Sequence, residues 1–168
     1  MNAGLHFIVA LILPLAMVLG AVRDATSYTI PNWLSAALAL AFLPAALILG
    51  LPPMLIGVSL AVGLAGLVAG VAMFALNWIG GGDAKLFAAA SLWLGLTAMG
   101  PFLAWTGVAG GALAVSLLLL RRTPLASLIA GPAWVGRLLE PKGDVPYGVA
   151  IAVGALAAFP ASAVFHAL

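Results

Sequence analysis

The sequence predicts an all-α, polytopic membrane protein with six transmembrane helices, and three observations predict it. Of 168 residues, 65% are hydrophobic and only 6% are charged. Six apolar runs each approach the roughly 20 residues that a bilayer-crossing helix needs. A soluble domain carries about 25% charged residues, so this inventory cannot coat a water-facing surface. The mean hydropathy of +1.28 agrees. Lipid is therefore the expected solvent, and residues 1–168 are expected to form a single integral-membrane domain.

The runs span residues 5–22, 33–50, 54–76, 84–99, 102–120 and 147–165. The first has no basic stretch before it, and its nearest charge follows it, which predicts a retained helix rather than a cleaved signal. Pro14 and Pro44 fall inside runs one and two, where kinks are expected. Run three holds Gly57, Gly63, Gly66 and Gly70, and run five holds "GVAGG"; such small residues let helices approach closely in lipid. The segment 121–146 mixes bases, prolines and apolar residues, which suits a short stretch along the membrane interface better than a further span.

Orientation follows from the charges. Arg23 and Asp24 come after run one, and Asp83 and Lys85 after run three. Arg121, Arg122, Arg137, Glu140, Lys142 and Asp144 come after run five. All ten thus fall on one side, while the opposite connections, "GLPP" and "MGP", hold none. Lys and Arg in short loops mark the cytoplasmic face, so the charged loops are predicted inside and both termini outside. Trp33, Trp78 and Trp134 fall near that face, as an interfacial belt would. A net charge of +2 is no signal for nucleic acid. The absence of cysteine excludes disulfides, thiolate catalysis and cysteine-ligated zinc.

Four carboxylates remain to be explained. Glu140 and Asp144 sit among Arg137 and Lys142, where solvated surface accounts for them. Asp24, in "VRDATSYTIPNWLS", and Asp83, in "GGGDAKLF", instead lie at the edges of apolar spans on the same face. Asp83 read simply is an N-cap of helix four, and Asp24 read simply is a surface charge paired with Arg23. Against those readings stand Gly80, Gly81 and Gly82, a run that costs conformational entropy. A helix start does not need it; an extended peptide lying beside the carboxylate would. Two adjacent carboxyls share one proton, so one can activate water while the other donates to the oxygen or leaving nitrogen. The histidines, His6 and His166, lie toward the other face, and two carboxylates without imidazole make a poor zinc site. No metal or cofactor is expected.

Three stretches resemble a known family. "GGGDAK" contains Gly-x-Gly-Asp as Gly80, Gly82 and Asp83, similar to the GxGD aspartic membrane proteases. Asp24 followed by Ile30, Pro31 and Asn32 resembles the first catalytic motif of the prepilin peptidases, and "DVPYGVAIAVGAL" resembles that family's last helix. The resemblance implies a type IV prepilin leader peptidase with Asp24 and Asp83 as its dyad, cutting between a basic leader and the apolar pilin helix at the cytoplasmic face of a bacterial inner membrane. Without cysteines, and with about nine residues between runs one and two, the chain looks like the short form serving tight-adherence (Flp) pili, with no methyltransferase domain. The neutral stretch 25–29 departs from the base that family members carry there. Pro31 and Asn32 are expected to fix the start of helix two, with Asn32 as its cap. Lys85 is expected to snorkel to the interface or to touch Asp83 or the substrate. Pro146, Tyr147 and Gly148 are candidates for lining the peptide groove. The alternatives are an ion- or proton-coupled transporter using the same two aspartates, disfavoured because transport sites lie nearer the midplane, and a purely structural subunit, which leaves the glycine run unexplained. The expected partners are the prepilin and the bilayer, not nucleic acid; the sequence leaves the oligomeric state open.

Overall fold

The computed structural model describes residues 3–123, 131–141 and 143–168, and these form helices joined by short turns with no strand. The elements are α1 (Ala3–Ser27), α2 (Asn32–Ile48), α3 (Pro53–Ala75), α4 (Gly81–Arg121), α5 (Ala133–Leu139), α6 (Tyr147–Ala158), a 3-10 turn (Phe159–Ala161) and α7 (Ala163–His166). Three helices are long and apolar enough to cross a membrane, Gly4–Ser27, Pro53–Ala75 and Gly81–Arg121; Asn32–Ile48 and Tyr147–Ala161 are shorter apolar helices. Lys142 lies outside the described residues, as does part of the expected interfacial stretch. The rest of that stretch is α5, which buries none of its residues.

Several boundaries differ from the hydropathy reading. α1 continues past residue 22 to Ser27, so Asp24 sits inside its last turn rather than after it. Helix formation there depends on backbone bonding, not on apolarity. α1 and α2 run through Pro14 and Pro44. The last run is divided where Pro160 enters the 3-10 turn.

The largest difference lies in α4. Expected runs four and five meet not at Gly100–Pro101 but at Gly95, whose φ of 62° and ψ of −171° interrupt the helix. Phe87 and Phe102, on either side, stack with ring centroids 5.1 Å apart. A continuous helix would separate them by about 22 Å at 1.5 Å per residue, so the chain folds back at Gly95. Only glycine adopts that φ without strain. The first arm, 81–94, is the centre of the molecule: from Asp83 to Gly95 only Lys85 is exposed.

α3 packs on this arm through glycines. A Cβ on Gly63 would meet Leu92 Cβ at 2.9 Å, one on Gly66 would meet Ser91 Oγ at 2.7 Å, and one on Gly70 the Ala84 carbonyl at 2.9 Å. The expected Gly66–Gly70 pair therefore packs as small-residue spacing predicts, whereas Gly57 has nothing within 4 Å and plays no such part. α2 joins from the other side, where buried Trp93 donates its Nε1–H to the Leu38 carbonyl at 2.8 Å and meets Phe42 edge to face. α6 packs on both α4 and α1. The core thus gathers α1, α2, α6 and the first arm around residues such as Met17, Leu38, Leu86, Trp93 and Ala155.

Candidate active site

Local turn chemistry delivers the two buried aspartates to one place. α1 ends when the Tyr28 amide bonds the Asp24 carbonyl at 2.8 Å, with Tyr28 in the left-handed region at φ 51°. That conformation costs a bulky residue about 1–2 kcal/mol, and it turns the chain so that Ile30 comes back against the start of α4. α3 ends in a Schellman pattern: Asn77, φ 56°, donates to the Phe74 carbonyl and Trp78 to the Met73 carbonyl. The chain is then free to start α4 at the glycine run.

One of those glycines has a packing reason within the protein. A Cβ on Gly82 would lie 3.0 Å from Ile30 Cβ and 3.3 Å from its backbone N and O, so any side chain here would push these segments apart by a few tenths of an ångström. Gly81 is less constrained: a Cβ there would meet the Phe74 ring at 3.5 Å, an ordinary van der Waals contact. Gly80 is the N-cap of α4, and Asp83 is the third helical residue. Asp83 is therefore not the N-cap; its Oδ2 reaches back to accept the Gly80 N–H at 3.2 Å. This is the acidic half of a capping box, and glycine has no side chain to supply the other half.

Asp24 is 4% exposed and Asp83 8%. Burial that deep removes the reading of Asp24 as a surface charge paired with Arg23. Its Oδ2 accepts the Gly148 N–H at 2.7 Å. Gly148 is the second residue of α6, so Asp24 caps that helix from another part of the chain, where the exposed amides and helix dipole favour an anion. Close approach is again required: a Cβ on Gly148 would lie 2.9 Å from Asp24 Oδ2 and 2.8 Å from Ile30 Cδ1. Asp83 Oδ1 is buried without a hydrogen-bond partner.

Both border the same two cavities, of about 440 and 270 Å³, together with Tyr28 and Gly80. Tyr147, Gly143, Asp144 and Val145 wall the larger, and Ile30, Gly81 and Gly82 the smaller. Of the expected site residues, Asp24, Asp83, Gly80, Gly81, Gly82, Tyr147 and Gly148 thus converge. Pro146 is buried and caps α6. Pro31 and Asn32 stand at the start of α2 as expected, but Pro31 is the N-cap and Asn32 makes no cap bond. Asn32 Oδ1 instead accepts from Lys85 Nζ at 2.8 Å, and this pair lines a different groove. Lys85 therefore turns away from the cavities beside Asp83.

Two contributors were not singled out from sequence. Tyr28 lines both cavities and donates its hydroxyl to the Asp144 carbonyl at 3.3 Å; burial raises its pKa, so it is a neutral donor at ordinary pH. Arg121, read as an orientation signal, donates to three carbonyls, those of Leu138, Gly143 and Asp144, at 2.8–2.9 Å. It pins the segment that walls the larger cavity. Arg137 adds a bond to the Thr26 carbonyl. A charged side chain that satisfies carbonyls leaves no signature in hydropathy.

The chemical groups assembled are two buried carboxylates, a phenol and backbone amides, beside two partly open cavities, the larger walled in part by Gly143–Val145. Residues 11–115 match a family model described as the type IV leader peptidase family. The match covers Asp24, Asp83, the Ile30–Asn32 stretch and the glycine run. No curated protein and no solved structure matches the chain.

Proposed function

The chain belongs to the type IV leader peptidase family, and on that premise we propose that it is an aspartic endopeptidase that removes the leader of a type IV or Flp-like prepilin. The observation that carries this reading is that Asp24 and Asp83, brought from different helices, border the same cavities while buried. Asp24 is the charged member of the pair. Its 2.7 Å bond from the Gly148 amide has the length of a charge-assisted contact, and the start of α6 favours an anion. Asp83, held by a longer 3.2 Å bond and with Oδ1 unpartnered, carries the shared proton.

In the reaction, Asp24 takes a proton from a water molecule as its oxygen attacks the scissile carbonyl carbon. Asp83 gives its proton to the carbonyl oxygen, which would otherwise become an oxyanion. As the tetrahedral gem-diol collapses, the proton on Asp24 passes to the leaving amine, the C–N bond breaks, and one hydroxyl proton of the gem-diol returns to Asp83, which restores the starting pair. General acid–base assistance of this kind is worth about 10²–10⁴-fold. Tyr28 and the wall held by Arg121 position the peptide.

The reading includes six membrane passes in a bacterial inner membrane, with termini outside and the site at the cytoplasmic face. Arg121 and Arg137, bonded around the larger cavity, support it, since Lys and Arg concentrate on the cytoplasmic side. Co-expression with a Flp-type prepilin tests the function. The wild-type chain shortens the prepilin, and the Asp24→Asn/Asp83→Asn double variant, present in the membrane at equal level, does not. Processing by that variant would remove the aspartic assignment.

A further inference from the structure

Four residues line both cavities at the carboxylates: Asp24, Tyr28, Gly80 and Asp83. Gly80 has no side chain. Among the described residues, Tyr28 is therefore the one side chain besides the two carboxyls that borders both spaces. A peptide that runs from one cavity into the other, with its scissile bond at the carboxylates, passes the phenol. The reaction proposed above gives that phenol no chemical step.

The backbone at Tyr28 sets it apart. Outside glycine, Tyr28 and Asn77 are the two described residues with positive φ, at 51° and 56°. Each stands just past the end of a helix, Tyr28 after α1 and Asn77 after α3. Asparagine visits the left-handed region readily, whereas a ring-bearing residue is strained there. The turn itself would be made more easily with glycine or asparagine. Strain of this kind clusters at functional sites, where the side chain is kept for another reason.

The hydroxyl is also easily released. Its bond to the Asp144 carbonyl is 3.3 Å long, whereas O–H···O bonds centre at about 2.7–2.8 Å. The same carbonyl accepts Arg121 Nη2 at 2.9 Å, so it stays satisfied when Tyr28 turns to another acceptor. The ring is only half-buried, which leaves it room to turn. Burial raises the Tyr28 pKa, so the phenol keeps its proton and remains a donor.

We propose that Tyr28 is a third catalytic residue, whose hydroxyl donates a hydrogen bond to the scissile carbonyl oxygen as the tetrahedral gem-diol forms; this rests on the peptidase reading above. A carbonyl oxygen has two lone pairs, so it accepts from Asp83 and from Tyr28 together. Asp83 transfers its proton to that oxygen, and Tyr28 transfers none. The phenol keeps its O–H bond throughout, and on collapse the gem-diol proton returns to Asp83. Tyr28 thus stabilises the negative charge that builds on the oxygen while the proton from Asp83 is still in transit. Such a bond is stronger in the transition state than in the bound substrate, and so it raises kcat.

Tyr28→Phe removes the hydroxyl and keeps the ring. With a Flp-type prepilin as substrate, its kcat is expected to fall about 10²-fold, as loss of one oxyanion donor does, with KM and melting temperature unchanged. Tyr28→Asn, which suits the positive φ, is expected to keep the wild-type melting temperature and to cut no faster than Tyr28→Phe. Cleavage by Tyr28→Phe at the wild-type kcat, or a loss confined to KM, would overturn the proposal. A wild-type kcat for Tyr28→Phe beside a lower melting temperature for Tyr28→Asn would make the ring a packing group. If the wild-type chain itself leaves the prepilin uncut, the peptidase reading fails and takes this inference with it. If the wild type and Tyr28→Phe cut equally well, that reading stands and the role of the phenol alone is lost.

Discussion

Gly148 donates its backbone N–H to Asp24 Oδ2 at 2.7 Å across 124 residues of sequence. The carboxylate therefore has two tasks, capping α6 and, in the proposed reaction, accepting a proton from water, and substitutions can separate them. Asp24→Asn keeps a carbonyl oxygen for Gly148 but loses the base. Processing should fall by at least ~10²-fold while the melting curve by circular dichroism barely moves. Asp24→Ala loses both, and should also lower stability by about 1 kcal/mol, as removal of a cap does.

Gly148→Ala should be nearly as damaging to activity as loss of a carboxylate. The added methyl would sit 2.9 Å from Asp24 Oδ2 and 2.8 Å from Ile30 Cδ1, so one of them must move. Overpacking of this kind costs about 1–3 kcal/mol. Gly82→Ala should behave alike, because its methyl meets the Ile30 backbone, which has less freedom to yield than a side-chain tip. A thermal-shift assay beside prepilin processing reads both effects.

Arg121→Lys tests the clamp on the cavity wall. Lysine keeps the charge but cannot span the Leu138, Gly143 and Asp144 carbonyls with one planar fork. Each charged hydrogen bond lost is worth about 1.5–3 kcal/mol at most. Faster proteolysis after residue 131 and a higher KM are expected, with membrane insertion unaltered.

A shared proton gives the reaction a two-sided pH profile. Acid protonates the member that must activate water, and alkali removes the proton that the other must donate. Plots of kcat/KM against pH should therefore rise and then fall, with two limbs that belong to the pair rather than to either residue. Asp83→Asn should not restore an alkaline plateau, because the amide cannot deliver a proton. A flat wild-type profile would count against the mechanism.

Most of the helical framework was legible in the sequence because hydropathy reports which segments lipid or core can accept. The family was legible too, through Asp24, Ile30–Asn32 and the Gly-x-Gly-Asp stretch. The turn at Gly95 was not. It sits inside the apolar run "SLWLGLTAM" without a second breaker, whereas Gly100–Pro101 looks like a breaker yet lies within the second arm. Proline removes a single amide there, and the surrounding helix tolerates the loss.

Roles that depend on tertiary neighbours were equally hidden. Asn32 before an apolar run reads as a cap, but Pro31 takes that place and Lys85, far along the chain, takes the Asn32 carbonyl. Gly82 looks like room for a substrate and instead accommodates Ile30. The convergence of Asp24 with Gly148 follows from how α1 and α6 pack, which no single segment encodes.

The fold-back at Gly95 leaves the first arm only about 21 Å long at 1.5 Å per residue, well short of the roughly 30 Å hydrocarbon thickness. A lipid-facing helix of that length would tilt nothing and thin the bilayer around it. This arm is buried among its neighbours, two of which, α1 and α3, are long enough to cross a membrane, so hydrophobic mismatch acts on those instead. The depth of Asp83 is thereby set by a ruler inside the protein, running from the Gly95 turn, and is insulated from changes in membrane thickness.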